Sequence, residues 1–278
     1  MPDVDDAAPG RVAVVTGAGR GLGRGVAVAL AARGHPVVGV ARHADQLAET
    51  ADLIRAGGGR MVARPADVSD PADVAAMAAF VREQFGPPSI LVNAAGVFGP
   101  IALVRDTDPE AWVQTIMIDA VAPYLTTRAF IGDMIDAGFG RIVNITSAAS
   151  LHPPGALNSA YATAKVALNQ LTRHVAAEVA GTGVTANVIH PGDVKTDMWQ
   201  DISDRVATMG PEAEPYRQWA AWVAETGGDP PHKAVDLVLR LTGDEGADVN
   251  GRFCWVEDPL QAPIPSWGEP GETQPWRK

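Results

Sequence analysis

The feature that most constrains the fold lies near the N-terminus. Arg11–Thr16 reads RVAVVT, a short apolar run rich in β-branched residues, which is the pattern of a buried parallel strand. It leads directly into Gly17-Ala-Gly-Arg-Gly21-Leu-Gly23, and an Ala/Val/Leu stretch then continues to Ala32. Strand, glycine loop and helix, in that order, form the context a phosphate-binding turn requires. Glycine lets the backbone turn tightly and approach a pyrophosphate. The helix N-terminus supplies free N–H groups and the positive end of a dipole. A glycine cluster alone also fits an ordinary turn, so the rest of the chain must decide.

The rest of the chain alternates. Further strands are expected at Pro36–Ala41, Met61–Pro65, Ile90–Val92, Arg141–Thr146, Thr185–Ile189 and Arg252–Val256. Helical spacing fills the gaps: Leu47, Ala51 and Ile54 in Ala44–Ala56, and Val74, Met77, Ala78, Val81 and Phe85 in Pro71–Phe85. A long helical region from about Pro109 to Ala137 contains Pro123, where a bend or break is expected. Another helix runs from about Ser159 to Ala180. Alternating strands and helices mean an open parallel α/β sheet covered on both faces. No domain boundary is visible before about Asp258. Two segments break the alternation: an excursion from Pro191 to about Pro231, and a Pro/Trp-rich tail over 258–278. Residues 1–10 read as a loose tail.

Composition removes several function classes. The formal net charge of −11 argues against binding nucleic acid or an anionic membrane surface, both of which call for Lys and Arg. No stretch is long and apolar enough to span a membrane, and the acidic start MPDVDDAAPG lacks the features of a signal peptide. One cysteine, Cys254, permits no intrachain disulfide, so a reducing, cytoplasmic setting is expected. No His/Cys/Asp/Glu cluster has metal-ligand spacing, and no metal is expected.

The chemistry points to Tyr161 and Lys165. Their i, i+4 spacing places both on one helical face. An ammonium near a phenol stabilises the phenolate and brings its pKa, ordinarily about 10, toward the range useful for acid/base work. By itself the pair also fits an amphipathic helix with one residue in and one out.

Taken together, the motifs resemble the short-chain dehydrogenase/reductase family over about residues 11–257. TGAGRGLG at Thr16–Gly23 is similar to its TGxxxGxG, and Asn93-Ala94-Ala95-Gly96 to its NNAG. Ser147, Tyr161-x-x-x-Lys165, and His190-Pro191-Gly192 with Thr196 match its remaining elements. The resemblance implies a Rossmann-type three-layer α/β/α fold with a seven-stranded parallel sheet in the order 3-2-1-4-5-6-7. It also implies a nicotinamide cofactor, a small-molecule carbonyl/alcohol substrate, and a homodimer or homotetramer.

Residue by residue, it makes Tyr161 the general acid/base and Ser147 the group that bonds the substrate oxygen. Lys165 lowers the Tyr161 pKa and holds the cofactor ribose. Ser150 competes for the serine role but lies further from the strand end. The implied cofactor contacts are Gly17, Gly19, Arg20, Gly21, Leu22, Gly23, Arg42, Asp67, Val68, Asn93, Ala94, Gly96, Pro191, Gly192, Val194 and Thr196, together with Tyr161 and Lys165.

One residue departs from the pattern. The family asparagine after strand four, which helps hold a water in a proton path to the lysine, is replaced by Asp119. A carboxylate only accepts hydrogen bonds, where an amide also donates. Asp119 is therefore expected to keep the water-binding role with an altered pH dependence. Beside Lys165 it would favour the charged ammonium and partly cancel its pull on Tyr161. A helix residue bonding local backbone is the plainer alternative.

At the end of strand two, where NAD-specific relatives carry an acid, this chain has Ala41 followed by Arg42. Arg42 and Arg20 favour NADP(H) over NAD(H), because guanidinium groups pair with a 2′-phosphate. Solvated loop cations are the alternative. In the excursion, Trp219, Trp222 and Val223 are expected on one helical face. That face either packs on the body or forms a lid over an apolar or aromatic substrate. Leu151, His152, Pro153 and Pro154 are expected to line the pocket, and Trp267 and Trp276 to pack the tail on a neighbouring subunit or the pocket rim. Two further functional readings stand beside the oxidoreductase: a non-catalytic nucleotide-binding scaffold or sensor, and an enzyme reducing an imine or enol.

Overall fold

The computed structural model describes residues 10–151 and 155–256. His152 to Pro154, residues 1–9 and the tail with Trp267 and Trp276 lie outside these, and so do the expectations placed on them.

The chain builds a seven-stranded, all-parallel sheet in the order β3-β2-β1-β4-β5-β6-β7. The first half runs β1 (Ala13–Thr16), α1 (Gly21–Ala32), β2 (Val37–Ala41), α2 (Ala44–Ala56), β3 (Met61–Pro65), α3 (Pro71–Phe85) and β4 (Ile90–Asn93). The second half runs α4 (Pro109–Ile116), α5 (Ala122–Asp136), β5 (Gly140–Ile145), α6 (Ser159–Glu178) and β6 (Val184–His190). It continues with α7 (Asp197–Val206), α8 (Glu214–Thr226), α9 (Pro231–Thr242) and β7 (Phe253–Trp255).

Strand periodicity sorts the core onto the two faces. Val14, Val38, Leu91 and Ile142 face α3, α5 and α6, where they meet Met77, Phe130, Met134 and Val175. Their neighbours Val15, Val37, Val92 and Ile189 face α1, α2 and α9, where they meet Leu30, Leu47 and Leu241. A buried side chain of this kind contributes roughly 1.5–3 kcal/mol, so the two apolar layers are what hold the sheet between its helices.

The bend expected at Pro123 takes a specific form. A π-helical turn, Met117–Val121, separates α4 from α5, and the Ala122 N–H bonds the Met117 carbonyl five residues back. Pro123 has no N–H to return to Asp119, so widening the turn relieves the mismatch. Asp119 sits inside this turn and is wholly buried.

The strand order reverses between β1 and β4, which puts a crevice beyond their C-terminal ends. There Thr16, Asn93 and Asn144 stand side by side on β1, β4 and β5. Thr16 Oγ1 accepts the N–H groups of Ala94 and Ala95, both at 3.1 Å, and so fixes the loop after β4. Asn93 Nδ2 donates to Asn144 Oδ1 at 2.8 Å, while Thr126 Oγ1 donates to Asn93 Oδ1 at 2.7 Å. Asn144 Nδ2 donates in turn to Thr172 Oγ1 at 2.8 Å, tying the sheet to α5 and α6. These groups are buried, so each depends on its partner. Replacing Asn144 with alanine strands Asn93 Nδ2, and an unpaired buried polar group costs about 1–3 kcal/mol. Asn144→Ala should lower unfolding stability in urea by about 2 kcal/mol; a loss below about 0.5 kcal/mol would show that the row does not hold the sheet.

Candidate active site

A cleft of about 340 Å³ opens over the crevice, with the glycine loop at one end and Tyr161 at the other. Most residues expected at the site line it: Gly17 through Gly23 apart from Ala18, Arg42, Asp67, Val68, Ala94, Gly96, Ser147, Tyr161, Lys165, Pro191, Gly192, Val194 and Thr196. Asn93, Asp119 and Leu151 do not; Leu151 packs against Val188 and Phe253 instead. The Asn93 amide is committed to Asn144 and Thr126 behind the cleft, and Asp119 lies beneath its floor.

The glycine loop is held from outside. Thr50 Oγ1 donates to the Ala18 carbonyl at 2.9 Å, and Arg24 Nε donates to the Gly19 carbonyl at 2.9 Å. With its carbonyls bound away from the cleft, the loop leaves the start of α1 open to it; no side chain caps that helix, whereas Asp70 caps α3 and Asp108 caps α4. Gly17 is required twice over. Its φ is +69°, and a Cβ there would stand 2.8 Å from the Ala94 backbone. The result is an uncapped helix N-terminus facing a cavity, which is an anion-binding geometry and fits the pyrophosphate of a dinucleotide.

At the far end of this half, Arg42, His43 and Gln46 line the cleft after the neutral end of β2. Arg42 is exposed, while Arg20 Nη1 reaches across to Asp197 Oδ2 on the lid at 3.1 Å. Asp67 Oδ1 accepts the hydroxyl and the N–H of Ser69 at 2.6 and 2.9 Å. The Ser69 hydroxyl holds the Asp67 carboxyl below its ordinary range, with help from nearby Arg42.

Three elements deliver the reactive end. Ser147 follows β5, and its Oγ accepts the Ala149 N–H at 3.2 Å. Ser150 instead donates to the Ser147 carbonyl at 2.6 Å, accepts from Asn169 Nδ2 at 2.8 Å and does not line the cleft. His190 Nδ1 accepts the Ala148 N–H at 3.2 Å, so this histidine steadies the serine loop. Tyr161 and Lys165 share the buried face of α6, with the Lys165 ammonium 5.4 Å from the phenol ring centre.

Lys165 Nζ donates to the Ile145 carbonyl at 3.0 Å and lies 3.1 Å from Asp119 Oδ2. The contact with Asp119 is direct, with no gap for a bridging water. Asp119 Oδ1 also accepts the Val97 N–H at 2.9 Å. Burial pushes Asp119 above the usual carboxylate range, opposed by Lys165 and the Val97 N–H. Burial alone would lower Lys165, but Asp119 and then Tyr161 outweigh it and leave the ammonium more firmly protonated. Burial raises Tyr161; Lys165 pulls it down, Asp119 pushes it back up, and the Ser147 hydroxyl lowers it again. The net direction is upward, so at neutral pH the phenol keeps its proton.

The lid covers this end with apolar surface. Phe98, Ile202, Val206 and Leu157 pack with Tyr161, and Tyr216 and Trp219 close over them. The Phe98 ring lies 4.8 Å from that of Tyr161 and meets Tyr216 edge-on at 6.0 Å. Trp219 lines the cleft and Val223 is buried, whereas Trp222 is 47% exposed, so the expected three-residue face splits: Trp222 points to solvent. The buried Trp199 also lines the cleft, and its indole N–H has no hydrogen-bond partner among the described residues. Phe98, Thr50 and Arg24 were not identified in the sequence; none carries a periodicity or motif signal of its own.

Comparison with known proteins agrees with this architecture. The short chain dehydrogenase family matches residues 11–207. The chain is 36% identical over 251 residues to a 2-(R)-hydroxypropyl-CoM dehydrogenase of Xanthobacter autotrophicus, covering 87% of this chain and 94% of that one. It is 38% identical over 253 residues to a D-beta-hydroxybutyrate dehydrogenase of Cupriavidus necator, covering 90% and 96%. Among solved structures, an actinorhodin polyketide ketoreductase with NADPH superposes with a TM-score of 0.81 at 28% identity, covering 92% of this chain and 97% of that one. With a glycine loop at the crevice, a Ser/Tyr/Lys cluster opposite it and relatives matched along nearly their whole length, the chain belongs to the short-chain dehydrogenase/reductase family of oxidoreductases.

Proposed function

We propose that the protein is an NADP(H)-dependent oxidoreductase that interconverts an apolar or aromatic ketone and its alcohol. The observation that carries the reading is the convergence of Ser147, Tyr161 and Lys165 at one end of a cleft whose other end is an uncapped helix N-terminus. The bound nicotinamide would supply or accept the hydride.

The chain's own residues do the rest. The start of α1 and the loop Gly17–Gly23 would hold the pyrophosphate. Lys165 would hold the ribose, with Asp67 and Val68 at the adenine end. Arg42, exposed at the cleft, would meet a 2′-phosphate; Arg20 also lines the cleft, in an ion pair with Asp197, and the end of β2 carries no carboxylate. Ser147 would orient the substrate oxygen. Tyr161 would give it a proton during reduction and take one during oxidation. Preorganised donors around that oxygen stabilise the charge that develops on it. Phe98, Trp219 and Ile202 would exclude water there and favour an apolar substrate.

Val113, Tyr124 and Val166 on α4, α5 and α6 remain exposed, which suits association into a homodimer or homotetramer. A reducing, cytoplasmic setting suits a chain whose one cysteine is buried in β7.

NADPH consumption against a panel of aryl alkyl ketones tests the reading. Turnover is expected, with Tyr161→Phe lowering kcat/KM by about 100-fold or more. A Tyr161→Phe enzyme as fast as the wild type would overturn it. Cofactor choice is tested by Arg42→Asp, which removes a charge-assisted pair and adds repulsion. Its KM for NADPH should rise about tenfold or more with little effect on NADH. An unchanged preference would place the 2′-phosphate elsewhere.

A further inference from the structure

A buried ion pair lies at the floor of the cleft. The side chains of Asp119 and Lys165 are 0% and 5% exposed and lie 3.1 Å apart. Lys165 lines the cleft, while Asp119 lies behind it. Gly96 and Val97 line it from above. A Cβ on Gly96 would stand 3.5 Å from both Asp119 oxygens and 3.6 Å from Lys165 Nζ, so the loop rests directly on the pair. The Val97 N–H to Asp119 Oδ1 bond, at 2.9 Å, pins the carboxylate under that loop.

We propose that Asp119 is a positioning residue whose carboxylate, from behind the cleft, neutralises Lys165 at its floor, so that the site accepts the cationic, oxidised nicotinamide as readily as the neutral, reduced one. The inference rests on the proposed function, because it concerns the same cofactor. An ammonium alone in this place would leave a unit positive charge under the ring, poorly screened because it is buried. Such a charge repels the oxidised ring and leaves the reduced ring nearly untouched. With the carboxylate present, the pair sums to zero and the penalty disappears. Tyr161 adds no charge while its phenol is protonated. The other ionisable groups lining the cleft are Arg20, Arg42, His43, Asp67, His190, Asp193 and Asp197. A substitution at Asp119 leaves all of them in place.

Asp119→Asn is nearly isosteric and keeps an oxygen to accept the Val97 N–H, so it removes the charge together with the acceptor that faces Lys165. Equilibrium binding of NADP+ and of NADPH to the wild-type and variant proteins reads the effect without turnover. The ratio of the oxidised to the reduced dissociation constant should rise about tenfold in Asp119→Asn. Adding Lys165→Met to that variant restores a neutral floor, and the ratio should return toward the wild-type value even though both affinities fall. If Asp119→Asn does not fold, Asp119→Ser carries the same test. A ratio unchanged by the substitution, or an equal weakening of both forms, overturns the proposal and leaves the functional reading intact. Failure of the wild-type protein to bind either form overturns both.

Discussion

The contact on which the site depends is the buried pairing of Asp119 with Lys165. Taking two charges out of water is costly, and a buried ion pair contributes little net stability for that reason. Its effect here is positional. The pair joins the π-helical turn before α5, the loop after β4 and the catalytic face of α6 at one point. Lys165 is held on its other side by the Ile145 carbonyl, at the end of β5. Four segments distant in sequence are thus registered to one ammonium, and Tyr161 stands one helical turn from it.

Around that point the sheet provides a rigid edge. Thr16, Asn93 and Asn144 use their side chains on one another and on the adjacent loop backbone, which braces the crevice. The glycine loop is fastened by Thr50 and Arg24 from behind. The lid is tied at its base, where Asp229 Oδ2 accepts the Asp193 N–H at 2.9 Å and Val194 pairs with Gly228. Fixed donors around a developing charge need little reorganisation during reaction, which is what such a frame provides.

Much of this was legible in the sequence, for identifiable reasons. Strands such as Val14–Val15 and Leu91–Val92 are buried on both faces, so they read as continuous apolar runs, and their alternation with helical stripes implies a parallel sheet. The glycine loop and the Tyr161/Lys165 spacing are local patterns and survive folding unchanged. What was not legible depends on tertiary geometry. Asn93 sits at a strand end where one amide can face the cleft or the core, and only its pairing with Asn144 settles the direction. Pro123 signals a bend but not a π-helical turn. Trp222 shares a helical stripe with Trp219 yet turns outward, because the lid packs along a narrower seam than the stripe. Phe98 reaches Tyr161 from a loop with no period at all.

The charge of Asp119 opposes the pull of Lys165 on the Tyr161 phenol, and the pH dependence of carbonyl reduction in wild type and Asp119→Asn tests this most directly. Reduction needs the Tyr161 proton, so the rate falls as pH rises through the Tyr161 pKa. That pKa lies above its ordinary value, with burial the largest cause and Asp119 adding to it. Removing the carboxylate removes a charge that opposes the phenolate, so the fall should begin at lower pH in Asp119→Asn. Superimposable profiles for the two proteins would contradict the account.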